Sequence, residues 1–456
     1  MELDTIAAIA TPIGEAGLAV IRISGPEAFA VADRCFCPAG RSIPTSTAAS
    51  HTVQYGHIHH AGQEVDEVLV AVFQAPRTYT REPTVEVSCH GGMLTTRKVL
   101  DAVLASGARI AEPGEFTKRA FLNGRLDLAQ AEAVADLIHA RTGLAMNAAQ
   151  EQLAGRLSQR INQLRDSLML VLAHVEAHID FPDEDIAPDT QATLLLKLKQ
   201  AGQFMEELLR TANEGQILRR GVRAAIIGRP NVGKSSLLNL LLGHDRAIVS
   251  PIPGTTRDTI EETADVRGIP IIFIDTAGLR ESIDPIEKEG IRRSRVSLER
   301  AELILHVFDC AEPLTEEDRQ LMAEFGSRKR IFVLNKSDLP SGLEASALPN
   351  DTPQVRLCTL TGDGLEALKD AVRESVWLRQ VGGEMLQVMI NARHQDALRR
   401  ARVAVGQAEA ALAAGNSLEL VAVDLRIGVN AVGEVVGKTT TDDLLDSIFS
   451  QFCLGK

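Results

Sequence analysis

Cysteine is scarce: six residues in 456, scattered at positions 35, 37, 89, 310, 358 and 453. So few and so dispersed, they exclude a disulfide scaffold and imply reduced thiols, as expected in the cytoplasm. Long apolar runs are missing as well. Stretches such as Leu303–Phe308 are strand-sized, short of the ~18 residues a bilayer span requires, so no membrane role is expected. Met1-Glu2-Leu3-Asp4 lacks the basic stretch that opens a secretion signal. Positive charge is in deficit, with 48 Lys+Arg against 61 Asp+Glu and a formal net charge of −13. Such a chain has no global electrostatic reason to coat nucleic acid or anionic lipid, and any RNA contact must be a local patch. With 45% hydrophobic and 24% charged residues and 18 prolines, wholesale disorder is excluded. The length is too great for one compact domain and implies roughly two to four.

The texture along the chain changes twice. Up to about Pro113, short β-type runs alternate with Gly and Pro; Gly17–Ile23, Val68–Phe73 and Val85–Cys89 read as strands, with a helix near Leu94–Leu104. From Glu115 to about Arg219 the signal is helical. Leu157, Ile161, Leu164, Leu168, Val171, Val175 and Ile179 step by three and four along one helix face, until Pro182 within Phe181–Asp185 breaks it. At Val222 a strand–loop–helix rhythm begins, with strand-like runs at Val222–Ile227, Ile269–Ile274, Leu303–Phe308 and Arg330–Leu334. That is the doubly wound α/β pattern. After about Val376 helical texture returns with Leu398, Val403, Ala410 and Leu418–Leu425, so the α/β unit reads as an insertion into a helical domain.

The chemistry concentrates in that insertion. Gly228-Arg229-Pro230-Asn231-Val232-Gly233-Lys234-Ser235, followed by Ser236, fits G-x-x-x-x-G-K-[ST] between an apolar strand and the helix Ser236–Leu242. Its glycines let backbone N–H groups close on phosphate oxygens at a helix N-terminus. Lys234 supplies a charge for the β/γ-phosphates, and Ser235 a hydroxyl for Mg²⁺. Asp275-Thr276-Ala277-Gly278 follows a second strand, offering a carboxylate for the Mg²⁺ water shell and a glycine N–H for the γ-phosphate. Asn335-Lys336-Ser337-Asp338 stands at the end of another. Asp338 beside the purine edge would accept from guanine N1–H and the exocyclic amine; adenine lacks that donor pair, and a carboxylate buried unpaired beneath it would reject it. In this order the three segments resemble the G1, G3 and G4 motifs of Ras-like GTPases. The base-contact loop departs from the pattern, with Cys358-Thr359-Leu360 before Thr361-Gly362.

Ras-like enzymes orient water with a Gln after the third motif, and Leu279 cannot do so. Ser250-Pro251-Ile252-Pro253-Gly254-Thr255-Thr256-Arg257-Asp258 resembles the switch I loop of the TrmE–Era–EngA group. That likeness implies Thr256 as a second Mg²⁺ ligand and a K⁺ ion where an arginine finger would otherwise reach. Asn231, the carbonyls of Ser250 and Ile252, and Thr255 would form its oxygen cage; alternatively Asn231 only caps the loop. It also implies Glu287 as the glutamate that orients attacking water, although by residue type alone Glu287 reads as a solvated surface carboxylate.

Outside the insertion, Asp4–Pro12, Arg22-Ile23-Ser24-Gly25, His90-Gly91-Gly92, Pro113–Thr117, Ala120–Leu128 and the terminal Cys453-Leu454-Gly455-Lys456 resemble the tRNA modification GTPases of the MnmE (TrmE) family. The resemblance runs end to end. It implies an N-terminal α+β, tetrahydrofolate-binding and dimerising domain over 1–118, a helical domain over 119–218 and 378–456, and an inserted Ras-like doubly wound G domain over 219–377. It further implies a homodimer that joins a flavoprotein, MnmG (GidA), in a heterotetramer. Together they would add a carboxymethylaminomethyl-type group to C5 of wobble uridine in certain tRNAs, with 5-formyl- or 5,10-methylene-tetrahydrofolate as one-carbon source. Arg22, Glu86, Arg125 and Lys456 would line the folate site. From residue types, Arg22 in an apolar strand needs an anionic partner, and an internal Arg22–Glu86 pair would equally serve. Cys453 is implied as a catalytic candidate for tRNA modification, although most terminal cysteines are not nucleophiles.

Lesser features read more simply. His57-Ile58-His59-His60 reads as a strand-edge cluster rather than a metal site, and Cys35-Phe36-Cys37 as structural. Arg292-Arg293-Arg295 and Arg399-Arg400-Arg402 are the local basic patches that could touch tRNA. The competing function is an Era-type switch that binds RNA and modifies nothing; the folate-like N-terminal segment and terminal Cys-Leu-Gly-Lys speak against it.

Overall fold

A computed structural model describes residues 4–40, 43–180, 188–245, 261–274, 300–344, 347–377 and 389–456. By its contacts the chain forms two compact units. One comprises Met1–Ala135, Ser158–Ile186 and Ala410–Lys456, the other Asp136–Leu157 and Ala187–Glu409. Among the described residues, no helix is long and apolar enough to cross a membrane.

The first unit holds a seven-stranded sheet: β1 (Ile6–Ile9), β2 (Ala16–Ser24), β3 (Phe36–Pro38), β4 (Thr52–His60), β5 (Gln63–Phe73), β6 (Thr84–Gly91) and β7 (Arg109–Ile110), in the order β3-β4-β5-β6-β2-β1-β7. Pairing is antiparallel except between β1 and β7. Period-two alternation along β6 buries Val85, Val87 and Cys89 and leaves Glu86, Ser88 and His90 on the wetter face. Ala28–Cys35 and Met93–Ala105 are helices whose Val31, Val99 and Val103 share one core with Ile21, Ile23, Val70, Val85 and Val87. Burial pushes the thiols of Cys35 and Cys89 up to about 11, which suits packing rather than reactivity. A helix runs over Arg156–Asp180, and the stepped apolar residues Ile161, Leu164, Leu168, Val171 and Val175 are all buried. The break expected at Phe181–Asp185 lies outside the described residues.

The second unit is built on a six-stranded sheet: β8 (Val222–Ile227), β9 (Glu262–Val266), β10 (Ile269–Phe273), β11 (Leu303–Asp309), β12 (Arg330–Asn335) and β13 (Gln354–Arg356), in the order β13-β12-β11-β8-β10-β9. All neighbours are parallel except β9, which runs antiparallel on β10. The central strands read as unbroken apolar runs because a parallel sheet is covered on both faces; every residue of β11 is buried.

One of those residues is His306, stacked 4.2 Å from the Phe308 ring, with neither ring nitrogen hydrogen-bonded. Burial lowers its pKa from 6.5 to about 4. The depressed value means that stability is full above pH 6.5 and is lost as pH falls through 4, because protons then favour the unfolded chain. A shift of this size corresponds to about 3 kcal/mol by pH 4. Denaturant titrations at pH 7 and pH 4 should show the His306→Leu variant losing correspondingly less; equal losses would remove His306 as the cause.

Candidate functional site

β8 ends at Ile227 and hands the chain to a loop that closes into the helix Lys234–Asp245. Two glycines make the turn possible. Gly228 and Gly233 adopt φ of 145° and 102°, and a Cβ on Gly233 would overlap the Asn335 side-chain amide. Asn231 sits at φ 64°, in the left-handed region that Asn tolerates, with its side chain exposed. The Lys234 ammonium folds over the loop and donates to the carbonyls of Gly228 at 2.8 Å and Arg229 at 2.7 Å. Burial lowers its pKa below the ordinary lysine value. Ser235 follows in the first helical turn, half-buried. Arg229 is held to Glu312 at 3.0 Å and Asp318 at 2.9 Å, and Asp318 also closes a capping box with Thr315 on the helix Glu316–Glu324.

Asn335 ties three loops together. From the end of β12, its Nδ2 donates to the Val232 carbonyl at 2.8 Å, while its Oδ1 accepts from the Thr359 N–H at 3.1 Å. The phosphate-type loop, the Asn335–Asp338 segment and the atypical Cys358–Leu360 loop are thereby brought to one end of the sheet. The Thr359 backbone does this bracing, so it does not depend on the side chains that depart from the family pattern. Lys336 pairs with Asp309 at 2.5 Å. Asp338 is exposed, in the turn beyond the strand end. Ser250, Ile252, Thr255, Thr256, Asp275, Thr276, Ala277, Gly278 and Glu287 lie outside the described residues, as does Arg292–Arg295. Of the expected cation ligands, Asn231 and Ser235 present the oxygen donors that hard cations take.

A second site forms in the first unit. Arg22 on β2 faces Glu86 on β6 in register, and Arg22 Nε donates to Glu86 Oε1 at 2.8 Å. The anionic partner that an apolar strand demanded is therefore supplied internally. The Arg22 guanidinium also lies 5.5 Å from the centre of the Tyr79 ring, whose other cationic neighbour is Arg125 at 4.7 Å. Arg125 donates to the Tyr79 carbonyl at 2.7 Å, and the Tyr79 hydroxyl is hydrogen-bonded to Thr117 at 2.9 Å. The terminal segment reaches the same place: Gly455 O accepts from Arg22 at 3.5 Å, and burial, then the Arg22 charge, hold the Lys456 ammonium below its ordinary pKa. Cys453 is exposed, its carbonyl accepting from the backbone N–H of Lys456 at 3.3 Å. Arg22 and Arg125 thus meet at the Tyr79 ring, Lys456 lies in the field of Arg22 and Glu86, and Glu86 and Arg125 line a cleft of about 520 Å³. Tyr79 was not legible as a site residue. A lone aromatic in the Pro76–Arg81 loop carries no spacing signal.

The histidine cluster is corrected in one respect. β4 is the second strand of its sheet, not an edge, and His57 Nδ1 lies 3.1 Å from Glu64. Among the described residues no cluster of three or more His, Cys, Asp or Glu side chains is placed to share a metal ion. Arg399, Arg400 and Arg402 lie on the helix Ala392–Ala413, where Arg400 pairs with Asp396 and Arg402 with Glu206.

A family model described as the GTP-binding protein TrmE N-terminus matches residues 5–125, and one described as the MnmE helical domain matches residues 128–453. The tRNA modification GTPase MnmE of Geobacillus kaustophilus is 47% identical over 100% of both chains. Its counterpart in Geobacter metallireducens is 48% identical over 99% of each, and that of Lactiplantibacillus plantarum 48% identical over 100% of this chain and 99% of its own. With a likeness of this degree along its whole length, the chain belongs to the MnmE family of tRNA modification GTPases.

Proposed function

We propose that this chain hydrolyses GTP at the loop after β8 to drive folate-dependent modification of wobble uridine in tRNA. It would act in the cytoplasm as a homodimer, with MnmG (GidA) as flavoprotein partner in a heterotetramer. Over the two compact units lies a functional division in three: folate binding and dimerisation in 1–118, a helical frame in 119–218 and 378–456, and GTP hydrolysis in 219–377. The observation that supports this reading most is the Asn335 brace, which joins Val232 of the phosphate-type loop to Thr359 and so gathers segments distant in sequence.

In that pocket the N–H groups around Gly233 take the phosphates, and Lys234 sets its charge against the β- and γ-oxygens. Ser235 and Thr256 would hold Mg²⁺, Asp275 would hold its water shell, and the Gly278 N–H would meet the γ-phosphate. Glu287 orients the attacking water. Asn231, Ser250, Ile252 and Thr255 would hold K⁺, which when bound would supply the positive charge an arginine finger gives elsewhere. In the first unit Glu86 accepts from the donor-rich pterin edge, and Arg22, Arg125 and Lys456 face the carboxylate end of the folate. Cys453 is assigned to tRNA modification rather than hydrolysis.

The test is turnover in K⁺ against Na⁺. An arginine finger contributes 10³–10⁵, so even a small part of that predicts about tenfold or more in favour of K⁺. Because Asn231 has a positive φ, Asn231→Ala strains the backbone as well as deleting the amide; Asn231→Gly deletes the amide alone. Asn231→Gly should abolish the K⁺ preference. Equal wild-type turnover in the two salts would overturn the cation assignment.

A further inference from the structure

Of the expected folate residues Glu86 and Arg125 line the cleft beside Tyr79, and two further arginines line it with them. Arg77, Arg81 and Arg125 all line it, with Glu86 as the carboxylate present, and Glu86 is already paired with Arg22. The neighbouring arginines behave differently. Arg109 is matched by Asp4 and Glu115, and Arg119 by Asp4, Glu82 and Glu115, whereas among the described residues no ion pair involves Arg77, Arg81 or Arg125. In a chain of net charge −13, three exposed guanidiniums around one cleft are a local reversal of sign. Arg81 is fixed there rather than waving in solvent, since its Nη1 donates to the Asn123 carbonyl at 2.9 Å.

We propose that this cleft selects folates bearing a polyglutamate tail, with Arg77 and Arg81 at its mouth meeting the tail carboxylates. The inference rests on the folate reading and goes beyond it to the form of the ligand. Phe73 and Tyr79 give the cleft an aromatic lining suited to a flat ring system, and about 520 Å³ admits a single such molecule but no RNA helix. A tail of successive carboxylates would leave the cleft past the two exposed arginines. Each contact there is solvent-exposed and worth little singly, so the expected gain is moderate.

The experiment is calorimetric titration of the full chain with 5-formyltetrahydrofolate as mono- and as triglutamate. The triglutamate should bind about tenfold more tightly, and the preference should shrink at high salt. The double variant Arg77→Ala/Arg81→Ala should bring the triglutamate down to the monoglutamate affinity and leave the latter within about twofold; both side chains are exposed, and an unchanged unfolding midpoint checks the fold. Equal wild-type affinities for the two forms, or a preference that survives the double variant, would overturn the proposal while leaving the folate site standing. Binding of neither form would overturn both. Were the double variant to weaken tRNA binding and no folate form, the rim would serve RNA and the proposal would fall.

Discussion

Lys234→Ala should lower GTP turnover by about 10²–10³-fold, the loss expected when one preorganised charge is removed from a transition state whose negative charge sits on phosphoryl oxygens. The structure separates this chemical loss from a folding defect. Lys234 donates to the carbonyls of Gly228 and Arg229, so its removal frees two loop carbonyls. The loop is nevertheless held independently by Asn335 on Val232 and by Arg229 on Asp318 and Glu312. The unfolding midpoint of the variant should therefore change little while single-turnover hydrolysis collapses. Turnover within threefold of wild type would mean that another cation faces the γ-phosphate.

What made the loop legible was its frame rather than its glycines. β8, β10, β11 and β12 are buried on both faces and read as apolar runs within a residue or two of their ends, so the order strand, loop, helix could be taken from the sequence. β9 carried no such signal. Glu262-Thr263-Ala264-Asp265-Val266 lies at the sheet edge, antiparallel on β10, and its polar residues hide it. The partner of Arg22 was legible because a charge in an apolar strand must be neutralised, and the β2–β6 register then puts Glu86 opposite it. Contacts that depend on tertiary approach were not legible. Asn335 reaches Val232 across 103 positions, and the Tyr79 ring gathers arginines from β2 and from beyond Gly124, with no local periodicity to announce either. The same blindness placed His57 at a sheet edge.

The exposure of Asp338 sharpens the second large effect. A carboxylate in an open turn discriminates between bases when a base covers it, so nucleotide choice rests on the hydrogen bonds made at that moment rather than on a preformed dry pocket. Guanine offers N1–H and the exocyclic amine, both donors, and on the proposed reading Asp338 would accept both. Asp338→Asn keeps one acceptor and turns the other position into a donor facing the guanine amine. Two charge-assisted hydrogen bonds at about 1.5–3 kcal/mol each are lost or weakened, so GTP affinity falls by roughly 10²–10⁴-fold. Xanthine replaces the amine with a carbonyl and is complementary to the amide, so the same substitution raises affinity for XTP. Hydrolysis of XTP by the variant should approach that of GTP by the wild type, because Lys234, Ser235 and the Asn335 brace are untouched. Titration of both nucleotides against both proteins decides the matter: a variant that binds GTP as before would show that the base is read elsewhere, and one that loses GTP without gaining XTP would show that Asp338 holds the loop instead of the base.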